Sequence, residues 1–318
     1  MKKETICVIG MSGYVGSHVV AELLQQGYSV NGTLRDPQGP HASWISRELE
    51  PLAQAGQELR IFPAELHDQA SLENAMAGCT GVIMSAGVET QVSETVTLMV
   101  AAAENTLNAA LKLGINRVVF TSSTGSTNPP EGEPPVKDEL VHWSDPEQQI
   151  SVGKHSPAAK TLMEKKALEI MAANPAVRVC ILNPSMIAGP AFQDQPPSVL
   201  NFIRAILKKE RMADVVPNGS MSMIAVNDLA KLHIAALEQE TASGRYFALK
   251  QSWHWKDILT TLSQLYPAYT PPAWNAETEP IKPTGFDFTR RDSLGVELKD
   301  LDKILEGVIH EIQRRNML

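Results

Sequence analysis

Apolar and polar positions in the first half of the chain alternate between strand-like and helix-like spacing. Ile6 to Ile9 is a short apolar run of strand length. Glycines follow it, and then Val15, Val19, Val20, Leu23 and Leu24 recur at helical spacing on one face. Gly27 stands just past the last of these, where a helix end favours a residue at positive φ. Ser29 to Leu34, Leu59 to Phe62 and Gly81 to Ser85 read as three more strands. A long helix is predicted from about Ser93 to Lys112, closed by Gly114 and followed by the strand Arg117 to Phe120. A further helix over Pro157 to Ala173 leads into the strand Val177 to Leu182. Repeated strand–helix units with short joints imply a parallel sheet covered by helices on both faces. Right-handed crossovers wind such units into an α/β, Rossmann-type doubly wound sheet.

The texture changes after Asn183-Pro184. Prolines at 184, 190, 196, 197 and 217 break the alternation, and short strands and helices intersperse. Asn128 to Pro135 and Pro271 to Pro283 read as loops, and Leu298 to Arg315 as an amphipathic helix with Leu301, Ile304, Leu305, Val308 and Ile312 on one side. The expected organisation is a nucleotide-binding core over 1–183 with parts of 214–250. A smaller C-terminal substrate lobe is expected from 184–213 and 251–318.

Composition narrows the classes. The 318 residues carry a net charge of −8 and no block of Lys or Arg, which argues against nucleic acid or an anionic membrane as partner. Cys7, Cys79 and Cys180 are odd in number, sit in apolar surroundings and show no ligand spacing. Buried free thiols are therefore expected, with no metal. The opening Met1-Lys2-Lys3 resembles the start of a signal segment, but the apolar run behind it stops at Gly10. A cytoplasmic, soluble protein with a small-molecule substrate is the expectation.

Gly10-Met11-Ser12-Gly13-Tyr14-Val15-Gly16 falls between the first strand and the first helix. Glycines there permit a tight turn, close approach of a ligand and close helix–strand packing. The helix N-terminus then offers N–H groups and a positive dipole end to a pyrophosphate. Gly10, Ser12, Gly13, Tyr14, Val15 and Gly16 are the candidate contacts; a plain strand–helix turn is the blander reading. The second strand ends in Thr33-Leu34-Arg35-Asp36. A guanidinium at Arg35 suits a 2′-phosphate and favours NADP(H) over NAD(H), against the plainer reading of a surface pair with Asp36.

Several segments together resemble the dihydroflavonol reductase and cinnamoyl-CoA reductase branch of the extended short-chain dehydrogenase/reductases. They are Val8 to Val20, Leu34-Arg35-Asp36-Pro37, Gly78 to Ile83, Val119-Phe120-Thr121-Ser122-Ser123 and Lys137-Asp138-Glu139 to Trp143-Ser144-Asp145. Asn183-Pro184-Ser185-Met186-Ile187-Ala188-Gly189-Pro190 and the stretch from Asn227 to Tyr246 complete the series, so the likeness spans nearly the whole length. The resemblance implies a Rossmann core, a substrate lobe and reduction of carbonyl compounds with NADPH. It implies that Glu65 and Leu66 meet adenine, and that Ala86 and Gly87 leave room for ribose and phosphate. Asn183, Pro184, Ser185 and Met186 are implied to approach the nicotinamide.

In that family a serine polarises the carbonyl, a tyrosine moves the proton, and a lysine holds the nicotinamide ribose and lowers the tyrosine pKa. Ser123 and Lys160 fall at the serine and lysine positions. Four residues before Lys160, where the tyrosine belongs, the chain has Ser156, and Tyr14, Tyr28, Tyr246, Tyr266 and Tyr269 all lie elsewhere. Three readings follow. His155 serves as acid/base in a shifted register; a water held by Ser156 and Lys160 carries the proton; or carbonyl reduction is gone. In the last case the protein reduces an activated double bond, works as a non-redox isomerase or lyase, or merely binds nucleotide. For His155, a loop histidine is the plainer reading. Trp253, His254 and Trp255 line a substrate cleft or simply fill a core. The 93–112 helix and the lysine helix suit a homodimer interface or a monomer core equally.

Overall fold

The protein is described by a computed structural model over residues 4–87 and 94–318. The chain begins with β1 (Thr5–Ile9), α1 (Tyr14–Gln25), β2 (Ser29–Leu34), α2 (Ala42–Glu48), β3 (Leu59–Pro63), α3 (Gln69–Met76) and β4 (Gly81–Met84). It continues with α4 (Glu94–Leu113), β5 (Arg117–Thr121), β6 (Val136–Lys137), α5 (Pro146–Ser151), α6 (His155–Ala173) and β7 (Arg178–Asn183). Then come β8 (Met186–Ala188), α7 (Ser198–Leu207), β9 (Ser220–Ala225), α8 (Val226–Glu238) and β10 (Gly244–Phe247). The last elements are β11 (Gln251–His254), α9 (Trp255–Leu265), β12 (Gly285–Phe286), α10 (Thr289–Asp292) and α11 (Leu301–Arg314).

Seven strands form one sheet in the order β10-β7-β5-β4-β1-β2-β3, every neighbouring pair parallel. The order reverses at β1, so the connections leaving β1 and β4 turn to opposite faces of the sheet and open between them the crevice where such sheets bind ligands. Alternation along the strands explains the two cores. Ile6, Val8 and Val30 face α1 and α8, whereas Cys7, Ile9 and Met84 face α3, α4 and α6. All three cysteines are buried and free. β8, β9 and β11 form a separate sheet under α7, α9 and α11, with its own apolar core. β6 and β12 make a short parallel pair. Among the described residues no helix is long and apolar enough to cross a membrane.

Two boundaries depart from the sequence pattern. α6 starts at His155, two residues ahead of the expected Pro157. Proline is tolerated in a first turn because the N–H it lacks has no intrahelical partner there. His155 and Ser156 are therefore helical. α11 starts at Leu301 rather than Leu298, because Lys299 N donates to Asp228 Oδ2 at 2.7 Å and holds the preceding residues out of the helix. α4 is described from Glu94; the expected start at Ser93 lies outside the described residues. Trp255 is buried in the core of the second sheet with Trp253 packed beside it, and His254 bonds Asn218 and Lys256 N, so this trio is structural.

Candidate active site

The glycine turn shapes one end of the crevice by leaving side chains out. Gly10 sits at φ +87°, and a Cβ there would stand 2.7 Å from Ala86 Cα. At Gly16 it would stand 2.1 Å from the Gly10 carbonyl oxygen, so α1 packs onto the turn only with glycine in that place. Gly13 N closes the turn on Gly10 O at 3.1 Å, and Gly10 N donates to Thr33 Oγ1 at 3.0 Å. Beside this turn lies a cleft of about 560 Å³ lined by Gly10, Ser12, Gly13 and Arg35. Glu65, Leu66, Ala86 and Gly87 line it as well.

Arg35 is exposed at the rim and makes no ion pair with Asp36, whose carboxylate accepts from Gln38 N at 2.9 Å in its own turn. A free guanidinium, a side-chain-free turn and the start of α1 are a donor set that fits a phosphorylated dinucleotide. His41 and His67 also line the cleft. Nothing in their sequence surroundings marks them.

The side chains of Tyr14 and Val15 turn away from the cleft, so these positions and Gly16 face it, as the sequence pattern anticipates, with backbone alone. The Tyr14 hydroxyl donates to Gly189 O at 3.1 Å, and burial holds its pKa far above the usual phenol range. Val15 packs into the sheet core, and Gly16 is buried between helix and strand. What these three residues present to a ligand is backbone.

The other end of the crevice gathers side chains. Ser123 caps the short 3₁₀ turn Thr124–Ser126, its Oγ accepting from Gly125 N at 3.0 Å. That turn rests on the first turn of α6. A Cβ on Gly125 would meet Pro157 Cβ at 3.2 Å and Ser123 Oγ at 3.3 Å. Ser156, Lys160 and Glu164 follow at one-turn intervals and share one face of α6. Lys160 Nζ donates to Thr121 O at 2.8 Å. Burial pulls its pKa down to about 8, against the upward pull of the Glu164 carboxylate. His155 lies about 100° around the helix from Ser156, and its Nδ1 is buried without a hydrogen-bond partner.

Behind these groups lies a network that the sequence did not reveal. Glu164 and Arg245 form a buried ion pair at 2.7 Å. Glu164 also accepts from Ser122 Oγ and, at 2.7 Å, from Asn183 Nδ2. Arg245 lies 3.6 Å over the Trp143 ring and donates to the carbonyls of Ser126, Glu139 and His142. Asn183 is thus turned inward: its amide also bonds Ser123 O at 3.1 Å and Ser126 Oγ at 3.0 Å, which corrects its expected approach to a ligand. Pro184 is buried, with its carbonyl accepting from Thr124 N. Ser185 is half-buried, and Met186 packs on the core of the second sheet. Among the described residues no cluster of His, Cys, Asp and Glu is placed to hold a metal ion.

Comparison with known proteins agrees with this geometry. The family model for the NAD dependent epimerase/dehydratase family matches residues 6–248. Cinnamoyl-CoA reductase 1 from Oryza sativa subsp. japonica is 33% identical over 321 residues, covering 100% of this chain and 93% of the rice protein. A bifunctional dihydroflavonol 4-reductase/flavanone 4-reductase from Malus domestica is 28% identical, covering 100% of this chain and 92% of its own. The crystal structure of vestitone reductase from alfalfa superposes with a TM-score of 0.83 at 28% identity, covering 99% of this chain and 100% of that one. The family match takes in all seven strands of the large sheet, the glycine turn and the lysine helix, and on that ground the chain belongs to the NAD dependent epimerase/dehydratase family.

Proposed function

We propose that the protein is an NADP(H)-dependent reductase of a carbonyl group, or an activated double bond, on a small organic molecule, with a proton source other than tyrosine. The relatives named above are reductases of cinnamoyl-CoA, of dihydroflavonols and flavanones, and of vestitone. The observation that carries the proposal is the stripe on α6. Ser156 and Lys160 stand one turn apart beside the Ser123 turn, while Tyr14 is engaged on Gly189 and Tyr28 on Glu238.

The glycine turn and the α1 N-terminus hold the pyrophosphate, Arg35 the 2′-phosphate, and Lys160 the nicotinamide ribose. NADPH, when bound there, would supply the hydride. The Ser123 hydroxyl donates a hydrogen bond to the carbonyl oxygen and polarises it. The proton that this oxygen gains leaves the Lys160 ammonium and passes through the Ser156 hydroxyl or a water it holds. Solvent then reprotonates the amine. A serine hydroxyl is too weak an acid to act alone, whereas an ammonium with a pKa of about 8 is matched to neutral pH. The donor is the protonated form, so reductive turnover falls as pH rises through about 8.

NADPH consumption against ketones, aldehydes and enones tests this, with wild type run beside Ser156→Tyr and His155→Ala. Turnover by wild type and His155→Ala alike supports the relay. Loss on His155→Ala transfers the proton to the histidine. Turnover by Ser156→Tyr alone means that the native site does something other than carbonyl reduction.

A further inference from the structure

The segment 189–194 runs from the second sheet across the start of α1 and is fastened on both sides. From the core, the Tyr14 hydroxyl holds Gly189 O, and His18 Nε2 holds Pro190 O at 3.0 Å. Burial drives the His18 pKa down to about 4, so at neutral pH the ring is uncharged and donates from Nε2. From the other lobe, Arg315, directly after α11, donates to the carbonyls of Ala191, Gln193 and Asp194 at 2.7–2.9 Å. Its Nε is fixed by Glu311 at 2.6 Å.

Gln193 reaches down from this strap into the glycine turn. Its Nε2 lies 3.2 Å from Ser12 O, 3.1 Å from Gly13 O and 2.9 Å from Ser17 Oγ. Its Oε1 is buried with no partner, a cost in stability that a leucine would not carry. A trans peptide is planar, with C=O and N–H opposed. The Gly13 carbonyl accepts from Ser17 N at 3.0 Å as the first bond of α1 and from Gln193 as a second donor, so it is held from two sides, and the Tyr14 N–H of the same peptide, one of the free donors at the start of α1, is held pointing the opposite way.

We propose that Gln193 is a positioning residue for the dinucleotide: clamped by Arg315, it fixes the glycine turn in its phosphate-receiving shape and couples cofactor affinity to the docking of α11. This rests on the cofactor reading above. Coupling is reciprocal, so bound NADPH in turn holds the C-terminal segment.

The test is NADPH affinity by fluorescence titration, with hydrogen exchange over residues 311–318 with and without NADPH. Gln193→Leu is expected to melt within a few degrees of wild type, because the orphaned acceptor leaves with the lost bonds. It should weaken NADPH binding about tenfold, raise the KM for NADPH to match and leave kcat at saturating NADPH unchanged. Arg315→Gln should weaken NADPH binding likewise, at a larger loss of stability because it also gives up the Glu311 pair. NADPH should slow exchange at 311–318 in wild type and not in Gln193→Leu. Unchanged NADPH affinity in either variant overturns the proposal, as does equal protection of 311–318 in wild type and Gln193→Leu. If Gln193→Leu does not fold, Arg315→Gln decides the matter alone. A wild type that binds no NADPH overturns the cofactor reading and this inference together.

Discussion

The two ends of the crevice are made of different materials. At the glycine-turn end the working surface is backbone, shaped by atoms left out, with one exposed cation at its rim. At the Ser123–Lys160 end it is side chains, held from behind by the buried Glu164–Arg245 pair and the Asn183 amide. Local chain geometry shapes the first, with Gln193 as a distant brace, whereas the second is built almost wholly from contacts between residues far apart in the chain. Damage to the first should therefore appear as affinity, and damage to the second as stability.

The largest expected effect is at the ion pair. Arg245→Met leaves the Glu164 carboxylate buried without its cation and should cost about 3–5 kcal/mol of unfolding free energy in urea titration. Adding Glu164→Gln removes the stranded charge and should restore a large part of that loss. An Arg245→Met protein as stable as wild type would remove the distinction between the two ends.

Arg35→Ala should spare stability and weaken NADPH binding by about 1.5–3 kcal/mol, roughly ten- to hundredfold, by titration. NADH, which has no 2′-phosphate, should bind both proteins alike. Equal weakening of both cofactors would move the cation's role to the pyrophosphate.

The smallest effect depends on pH. Burial pushes the Glu139 carboxyl, which accepts from Phe247 N beside Arg245, up to about 7. An acid with a raised folded-state pKa favours the folded state below its unfolded value, and that contribution is lost as pH rises through about 7. Glu139→Gln should therefore gain on the order of 1 kcal/mol over wild type near pH 8, with the gain vanishing only below the unfolded value of 4.5. A constant difference across that range would show that Glu139 does not titrate there.

Legibility in the sequence follows the same division. The sheet and the glycine turn were readable because a strand, three glycines and a helix lie within 5–25, and each local preference agrees with the fold. Ser123 and Lys160 were placed by resemblance, and the structure brings their elements together. The supporting pair was not readable. Glu164 stands among lysines in Met163-Glu164-Lys165-Lys166 and looks like a solvated helix face, and its partner is 81 residues away. Asn183 was misread for the same reason, since an amide at a strand end looks the same whether it faces a ligand or a buried carboxylate. Gln193 carries no local signal either, because its partners Ser12 and Gly13 lie about 180 positions earlier.

The stripe on α6 also bears on how such a protein changes. Its outer rung, Ser156, is half-exposed in the first helical turn, while its inner rung, Glu164, is locked to three partners. Eight residues of helix, about 12 Å, separate the position proposed to relay the proton from the one that secures the architecture. A new reactivity can then be tried at the rim by a single replacement without reopening the question of whether the chain folds. The helix gives the scaffold a place for chemical novelty and keeps that place away from its foundations.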